Sequence, residues 1–155
     1  MGIMNERNRI RERKMLFERE VKRCGGRITT GRTRLIEILS EADRPIGFGD
    51  LLEQMQGTVS TDRTTLYRNL LFLESIGIVR RLMFYDGGLR WEWCDPDNHH
   101  HHAVCVSCRS IEEIRFPESM ERTIESVGRK KKFRITSHSL ELFGLCNVCM
   151  CKNSK

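Results

Sequence analysis

An α+β chain in two parts is predicted, and three observations predict it. In the first part, apolar residues recur at steps of three and four, the helical period, in several segments separated by glycine or proline. Two alternating stretches around Asp86-Gly87-Gly88 then read as a hairpin. In the last third, two cysteine pairs of identical spacing, Cys105-x2-Cys108 and Cys146-x2-Cys149, bracket a mixture of short strands and one helix. The expected division is residues 1–93 as one domain, 94–98 as a hinge and 99–155 as a smaller α/β domain.

The first helix is expected over about residues 9 to 23. Residues 3–24 carry eight Lys/Arg and four Asp/Glu, with Leu16, Phe17 and Val21 among them. Cys24-Gly25-Gly26 stops it, as glycine past a helix end does. Thr29 or Thr30 then offers a capping oxygen for an amphipathic helix carrying Leu35, Ile36, Ile38 and Leu39, which Arg44-Pro45 breaks. A third helix, about Phe48 to Gln56, buries Leu51, Leu52 and Met55 and ends at Gly57. The fourth opens on the cap candidates Ser60, Thr61 and Asp62. Its inward stripe is Leu66, Leu70, Leu73 and Ile76, and Gly77 stops it. Ile78 to Phe84 and Leu89 to Trp93 follow as the strands of the hairpin.

Helices followed by a two-stranded wing make a winged helix-turn-helix. The second helix of such a turn enters the DNA major groove N-terminus first. Here that end carries Arg63, Thr64, Tyr67 and Arg68 off the apolar stripe. A basic N-terminal helix agrees with a double-stranded DNA partner.

Asp95-Pro96-Asp97-Asn98 is polar with a proline and marks the break between domains. Beyond it, Ala103 to Val106 and Ser110 to Phe116 are expected as strands joined by the first cysteine turn. Pro117 opens a helix to about Gly128, and Phe133 to Phe143 reads as a third strand. Two thiolates separated by two residues face one tetrahedral ion, and two such pairs complete a closed four-sulfur shell. Cys105, Cys108, Cys146 and Cys149 are therefore expected to hold structural Zn2+. Cys151 reads as a spare surface thiol.

Four of the five histidines stand in one run, His99 to His102. If the run begins the strand leading to Cys105, the two-residue period puts His100 and His102 on one side and His99 and His101 on the other. One strand then serves two sites. Glu92 and Cys94, at the end of the wing, are near enough in sequence to join His100 and His102 as a regulatory set. His138, on the expected third strand, is able to join His99 and His101, with a carboxylate from Glu112-Glu113 or Glu118–Glu121.

The chain of 155 residues has a formal charge of +6, a pI near 9.1 and seven cysteines. An odd cysteine count argues against a closed disulfide framework, and no secretory signal or apolar run of membrane-spanning length is visible. A soluble cytoplasmic protein is expected, with no membrane partner. No H-E-x-x-H, G-x-S-x-G, phosphate loop or dinucleotide fingerprint occurs, so no enzymatic activity is expected.

The chain resembles the ferric uptake regulator (Fur) superfamily of bacterial metal-responsive regulators over about residues 25–149. The residues that carry the likeness are Thr29-x2-Arg32, the Thr64-Thr65-Leu66-Tyr67-Arg68 helix start, Gly77-Ile78-Val79 and Asp86-Gly87-Gly88. To these are added the run from His99 to Cys108, Ser137-His138-Ser139-Leu140 and Cys146-x2-Cys149. The resemblance implies a homodimer with two N-terminal winged helices on a palindromic operator and a C-terminal α/β dimerisation domain. It implies structural zinc in the four cysteines and a regulatory metal at the hinge. The DNA-contacting set becomes Arg32, Arg63, Thr64, Thr65, Tyr67 and Arg68. The regulatory set is Glu92, Cys94, His100 and His102, and the second metal set is His99, His101, Glu121 and His138. Two positions depart from the pattern. Pro45-Ile46 stands where iron-type members supply a histidine, and Arg80 stands where zinc-type members supply Asp or His.

Thiolate with imidazoles favours Zn2+, whereas imidazoles with carboxylates admit Fe2+ or Mn2+. Cys94 therefore points to the zinc-sensing (Zur-like) branch and to a repressor for which zinc is the signal. Iron, manganese or peroxide sensing are the alternatives within the superfamily. A constitutive DNA-binding protein with structural zinc alone, and a zinc-buffering module, are the alternatives outside it.

Overall fold

The computed structural model describes residues 6–56, 61–84, 87–95, 99–136 and 138–153. Several sequence features fall outside them: the Gly57 stop, the Ser60 cap candidate, Asp86 of the hairpin turn, the Pro96–Asn98 break and Ser137. Two compact units divide the chain, Met1–Asp95 and Pro96–Lys155.

In the first unit α1 (Glu6–Arg23), α2 (Thr30–Glu41), α3 (Phe48–Gln56) and α4 (Arg63–Ser75) precede the wing strands β2 (Val79–Met83) and β3 (Leu89–Trp93). The first helix begins three residues earlier than its apolar pattern suggested. Charged first-turn residues carry no periodic signal; the apolar residues that did mark the helix include Phe17 and Val21, both fully buried. Thr29 caps α2, its Oγ1 accepting the Arg32 N–H at 3.3 Å. A strand absent from the expectation, β1 (Ile46–Gly47), pairs antiparallel with β3 through Ile46↔Trp91 and Gly47↔Arg90, giving a sheet in the order β1-β3-β2.

The core of this unit is formed by Leu35 and Leu39 of α2, Leu51 and Met55 of α3, and Leu66, Leu70 and Leu73 of α4, with Phe17, Ile78 and Trp91 closing it. Gly77, at φ 72°, ends α4 in the left-handed region that glycine enters without a Cβ penalty. The Ile78 N–H then donates to the Leu73 carbonyl at 3.0 Å and turns the chain straight into the wing.

The second unit is a sheet in the order β5-β4-β6, built from β4 (His101–Cys105), β5 (Ile111–Ile114) and β6 (Glu141–Gly144), with α5 (Glu118–Lys130) and the short α6 (Asn147–Asn153). β5 is antiparallel to β4 and β6 is parallel to it. The expected strand over Phe133 to Phe143 is corrected: only its end, from Glu141, pairs. Phe133 (70% exposed) and Ile135 (36%) alternate correctly, yet they line no strand partner among the described residues. Alternation makes a segment extended but does not supply an edge to bond. His138 accordingly sits ahead of β6 and not in it. Gly128 permits the reversal after α5. A Cβ there would lie 2.9 Å from the Phe133 carbonyl oxygen, closer than side-chain carbons approach backbone.

Candidate metal centres and nucleic-acid interface

The first turn of α4 presents the expected DNA-facing residues. Asp62 caps it, Oδ1 accepting the Thr65 N–H at 2.8 Å and Oδ2 accepting the Thr65 hydroxyl at 3.1 Å. Thr65 is thereby committed to the cap, while Arg63, Thr64, Tyr67 and Arg68 are exposed. Arg32 is anchored elsewhere. Its guanidinium lies 3.6 Å from the Phe72 ring centroid, Nε donates to Asn69 Oδ1 at 3.2 Å, and Nη1 donates to the Arg27 carbonyl at 2.8 Å. It clamps α2 to α4, and partial burial lowers its pKa from the ordinary arginine value.

The Thr65 backbone N–H, with the Thr65 hydroxyl, holds the Asp62 carboxyl below its usual range near about 4. The stabilisation is complete above that ordinary value and is lost as pH falls through the lowered folded value. Asp62→Ala is therefore expected to melt below the parent protein near neutral pH. The gap should close as acid protonates the parent's carboxyl, and paired thermal melts across the acid range check it.

The four cysteines converge as the spacing predicted. Cys105 ends β4, Cys108 lies in the turn after it, Cys146 follows β6 and Cys149 lies in α6. All four sulfurs lie within 4.8 Å of one another, and Cys108 Sγ is 3.7 Å from Cys146 Sγ. A tetrahedral zinc–thiolate shell has sulfur–sulfur edges of about 3.8 Å, so the donor set fits Zn2+. Arg109, at φ 64°, closes the first turn, its N–H donating to the Cys105 carbonyl at 2.9 Å. The backbone N–H groups of Cys108 and Cys146 donate to Cys105 Sγ at 3.5 and 3.3 Å. These bonds lower the Cys105 thiol to about 6, favouring the thiolate that a metal needs. Cys151 is exposed on α6 and is not one of the four.

A second cluster lies within the same unit. His99, His101, Glu121 and His138 offer ligand atoms all within 4.8 Å of one another. His99 Nε2 is 2.9 Å from His138 Nε2, and Glu121 lies 3.3 Å from His101 Nε2 and 3.0 Å from His138 Nε2. With His99 Nε2 3.7 Å from Glu121 Oε1, these separations bracket the roughly 3.3 Å edge of a tetrahedral nitrogen–oxygen shell around a divalent ion. The Leu140 N–H donates to His101 Nδ1 at 3.1 Å and sets that ring's orientation. Of the carboxylates left open by the sequence, Glu121 is the one that α5 brings to the histidines.

The two-residue period of the histidine run is visible in its ring pairs. His100 and His102 are 5.2 Å apart by centroid, and His99 and His101 are 4.6 Å apart. Glu113, which β5 pairs across from His102, lies 3.7 Å from His100 Nε2. Glu92 and Cys94 belong to the first unit. Glu92 Oε1 accepts a hydrogen bond from Arg80 Nε across the wing, where the register places Arg80 opposite Glu92. That ion pair was not foreseen, although counting back from the hairpin turn gives the pairing. Cys94 donates its N–H to the Ile78 carbonyl at 2.9 Å, and burial pushes its thiol pKa up.

No helix among the described residues is long and apolar enough to cross a membrane. The ferric uptake regulator family profile matches residues 23–143. A ferric uptake regulation protein of Rhizobium leguminosarum bv. viciae is 33% identical over 126 residues, covering 78% of this chain and 84% of that protein. The peroxide operon regulator of Bacillus subtilis (strain 168) is 26% identical over 135 residues, covering 86% and 91%. The crystal structure of the Vibrio cholerae ferric uptake regulator superposes with a TM-score of 0.67 at 27% identity, covering 83% of this chain and 98% of that one. The profile match and the winged-helix and sheet architecture agree: the chain belongs to the ferric uptake regulator family, a family of metal-responsive transcriptional regulators and not of enzymes.

Proposed function

We propose that the chain is a zinc-responsive repressor of the bacterial cytoplasm that binds a palindromic operator as a homodimer. The observation that carries the zinc assignment is Cys94. It is a thiol at the exit of the wing, two residues beyond a carboxylate that already accepts Arg80. A soft sulfur with the two imidazoles of His100 and His102 suits Zn2+ better than Fe2+ or Mn2+. Zn2+ supplies strong, redox-inert bonds to sulfur and nitrogen and so serves as a link between ligands.

In this reading, Cys94 and Glu92 bind from the wing side and His100 and His102 from the second unit. Holding both sides fixes the angle between the units, which sets the spacing of two recognition helices in a dimer. Arg63, Thr64, Tyr67 and Arg68 meet the major groove, and Arg32 supports α4 from behind. A second divalent ion is held by His99, His101, Glu121 and His138, and structural Zn2+ by the four cysteines. The metal drives binding only through differential affinity for the DNA-competent arrangement, ordinarily a coupling of about 1–3 kcal/mol.

The test is operator binding titrated with zinc at fixed salt. Operator affinity is expected to rise about 5–150-fold with zinc. Cys94→Ser and His100→Ala should lose most of that rise while keeping metal-free binding. Equal affinity with and without metal removes the regulatory reading and leaves a constitutive DNA-binding protein. An unaltered zinc response in both variants removes the proposed ligand set.

A second reading rests on Glu92. A carboxylate with two imidazoles admits Fe2+ or Mn2+, and it gains support from relatives named for ferric uptake and for a peroxide operon. A response to iron or manganese that survives Cys94→Ser and is lost in Glu92→Gln selects this reading.

A further inference from the structure

Arg63 and Tyr67 open the recognition helix, and both rest on one aromatic ring from another element. Phe48 is half-buried and begins α3 immediately after β1. The Arg63 guanidinium carbon lies 5.2 Å from the Phe48 ring centroid. The Tyr67 ring meets Phe48 edge-on, with centroids 6.3 Å apart and planes at 67°. Phe48 also packs against Trp91, 5.9 Å away at 56°. With Thr64 and Leu89, these residues wall an open hollow of about 540 Å³ between the start of α4 and the wing.

The ring's position is set by backbone. β1 is bonded to β3 through Ile46↔Trp91 and Gly47↔Arg90, so the chain enters α3 alongside β3, and there Phe48 meets Trp91, which is 1% exposed. Phe48 is thus tied to the wing while its ring contacts Arg63 and Tyr67 near the start of α4. A long, exposed arginine ordinarily surrenders much rotamer freedom when it docks on a base edge. A cation held over an aromatic face has surrendered part of it beforehand. The edge-on contact does the same for the tyrosine ring, whose preferred packing is T-shaped.

We propose that Phe48 is a positioning residue for base recognition, its aromatic ring holding Arg63 and Tyr67 in the arrangement that reads the major groove. The proposal rests on the reading of the chain as a sequence-specific DNA-binding protein. It assigns Phe48 to discrimination between sequences and not to general attraction for phosphates, which is governed by charge and is independent of this ring.

The experiment uses the full-length, zinc-loaded protein. Its probes are a duplex selected by the parent protein from a random-sequence library and a scrambled duplex of the same length. Phe48→Leu keeps apolar volume and removes the aromatic face; Phe48→Tyr keeps the face. Phe48→Leu is expected to weaken binding to the selected duplex about tenfold, the size of a partly desolvated cation–π contact. Binding to the scrambled duplex and the salt slope should stay unchanged, and Phe48→Tyr should restore selectivity. In the free parent protein, ring current should displace the Arg63 side-chain proton resonances, and that displacement should vanish in Phe48→Leu.

Parent-like selectivity in Phe48→Leu overturns the proposal, as does equal weakening on both duplexes. Unshifted Arg63 resonances in the parent protein overturn it without any variant, should Phe48→Leu fold poorly. A parent protein that selects no duplex overturns the DNA-reading hypothesis itself and this proposal with it. Selection by the parent with no effect of Phe48→Leu overturns this proposal alone.

Discussion

Cys105→Ser, or removal of metal with a strong chelator, is expected to unfold the second unit. The reason is how little else holds it. Among its described apolar residues, only Val104, Cys105 and Cys149 are buried, whereas Val106, Phe133, Leu142, Phe143, Leu145 and Val148 remain exposed. A segment of this size has a thin core even when well packed, and part of this one's apolar surface is left uncovered. Metal binding in small zinc-dependent folds contributes roughly 10–16 kcal/mol, as much as the whole stability of many domains. Two of the four sulfurs come from the β4 turn and two from the region around β6 and α6, so an ion held there would tie together segments from opposite ends of the unit's sequence. Far-UV circular dichroism before and after chelation measures the loss. Cys151→Ser should behave as the parent, because that sulfur lies outside the cluster. Retention of the full signal after verified metal removal would show that the sheet stands without its clamp.

Leu70→Ala should produce the largest loss in the first unit. Leu70 is fully buried on the inward stripe of α4, between Leu66 and Leu73, which are equally buried. Truncating such a side chain removes its transfer free energy and leaves a cavity, together about 2–5 kcal/mol. For a domain of this size each kcal/mol shifts the melting temperature by roughly 4–8 °C, so a fall of about 10–30 °C is expected. The neighbouring Leu71 is 38% exposed, and Leu71→Ala should change little. Calorimetry on both variants checks the contrast. DNA affinity should fall with Leu70→Ala where the first unit begins to melt, since α4 then loses the surface on which it is seated.

Elements with a strong period were legible. Leu66, Leu70 and Leu73 of α4 recur at helical steps, and a helix with one apolar stripe has one way to bury it. The Thr29 cap, the Gly77 stop and the wing strands were marked by residue types whose backbone preferences are local. The elements that escaped were short or lacked a partner in sequence. β1 has two residues, too few to show any period, and exists because β3 offers it an edge. α6 spans seven residues and contains one of the paired cysteines, so its composition reads as a metal turn before it reads as a helix. Phe133 and Ile135 alternate as a strand would, but the reversal after α5 lays the Phe133 carbonyl and the Ile135 side chain against Gly128.

The same division holds for the sites. Cysteine pairs and a histidine run are local patterns, so the sequence by itself determined that four thiols converge and that alternate histidines pair on the same side. Spacing alone left open which carboxylate meets His99, His101 and His138, because α5 and β4 are brought together by packing that leaves no periodic trace; the structure brings Glu121, the residue the family resemblance implied. Only tertiary structure decided that Arg32 clamps α2 to α4 and that Phe48 lies under Arg63. Each of these is a contact between side chains far apart in sequence. Local backbone preference sets which residues form an element and which way they face, but what they face depends on how elements dock.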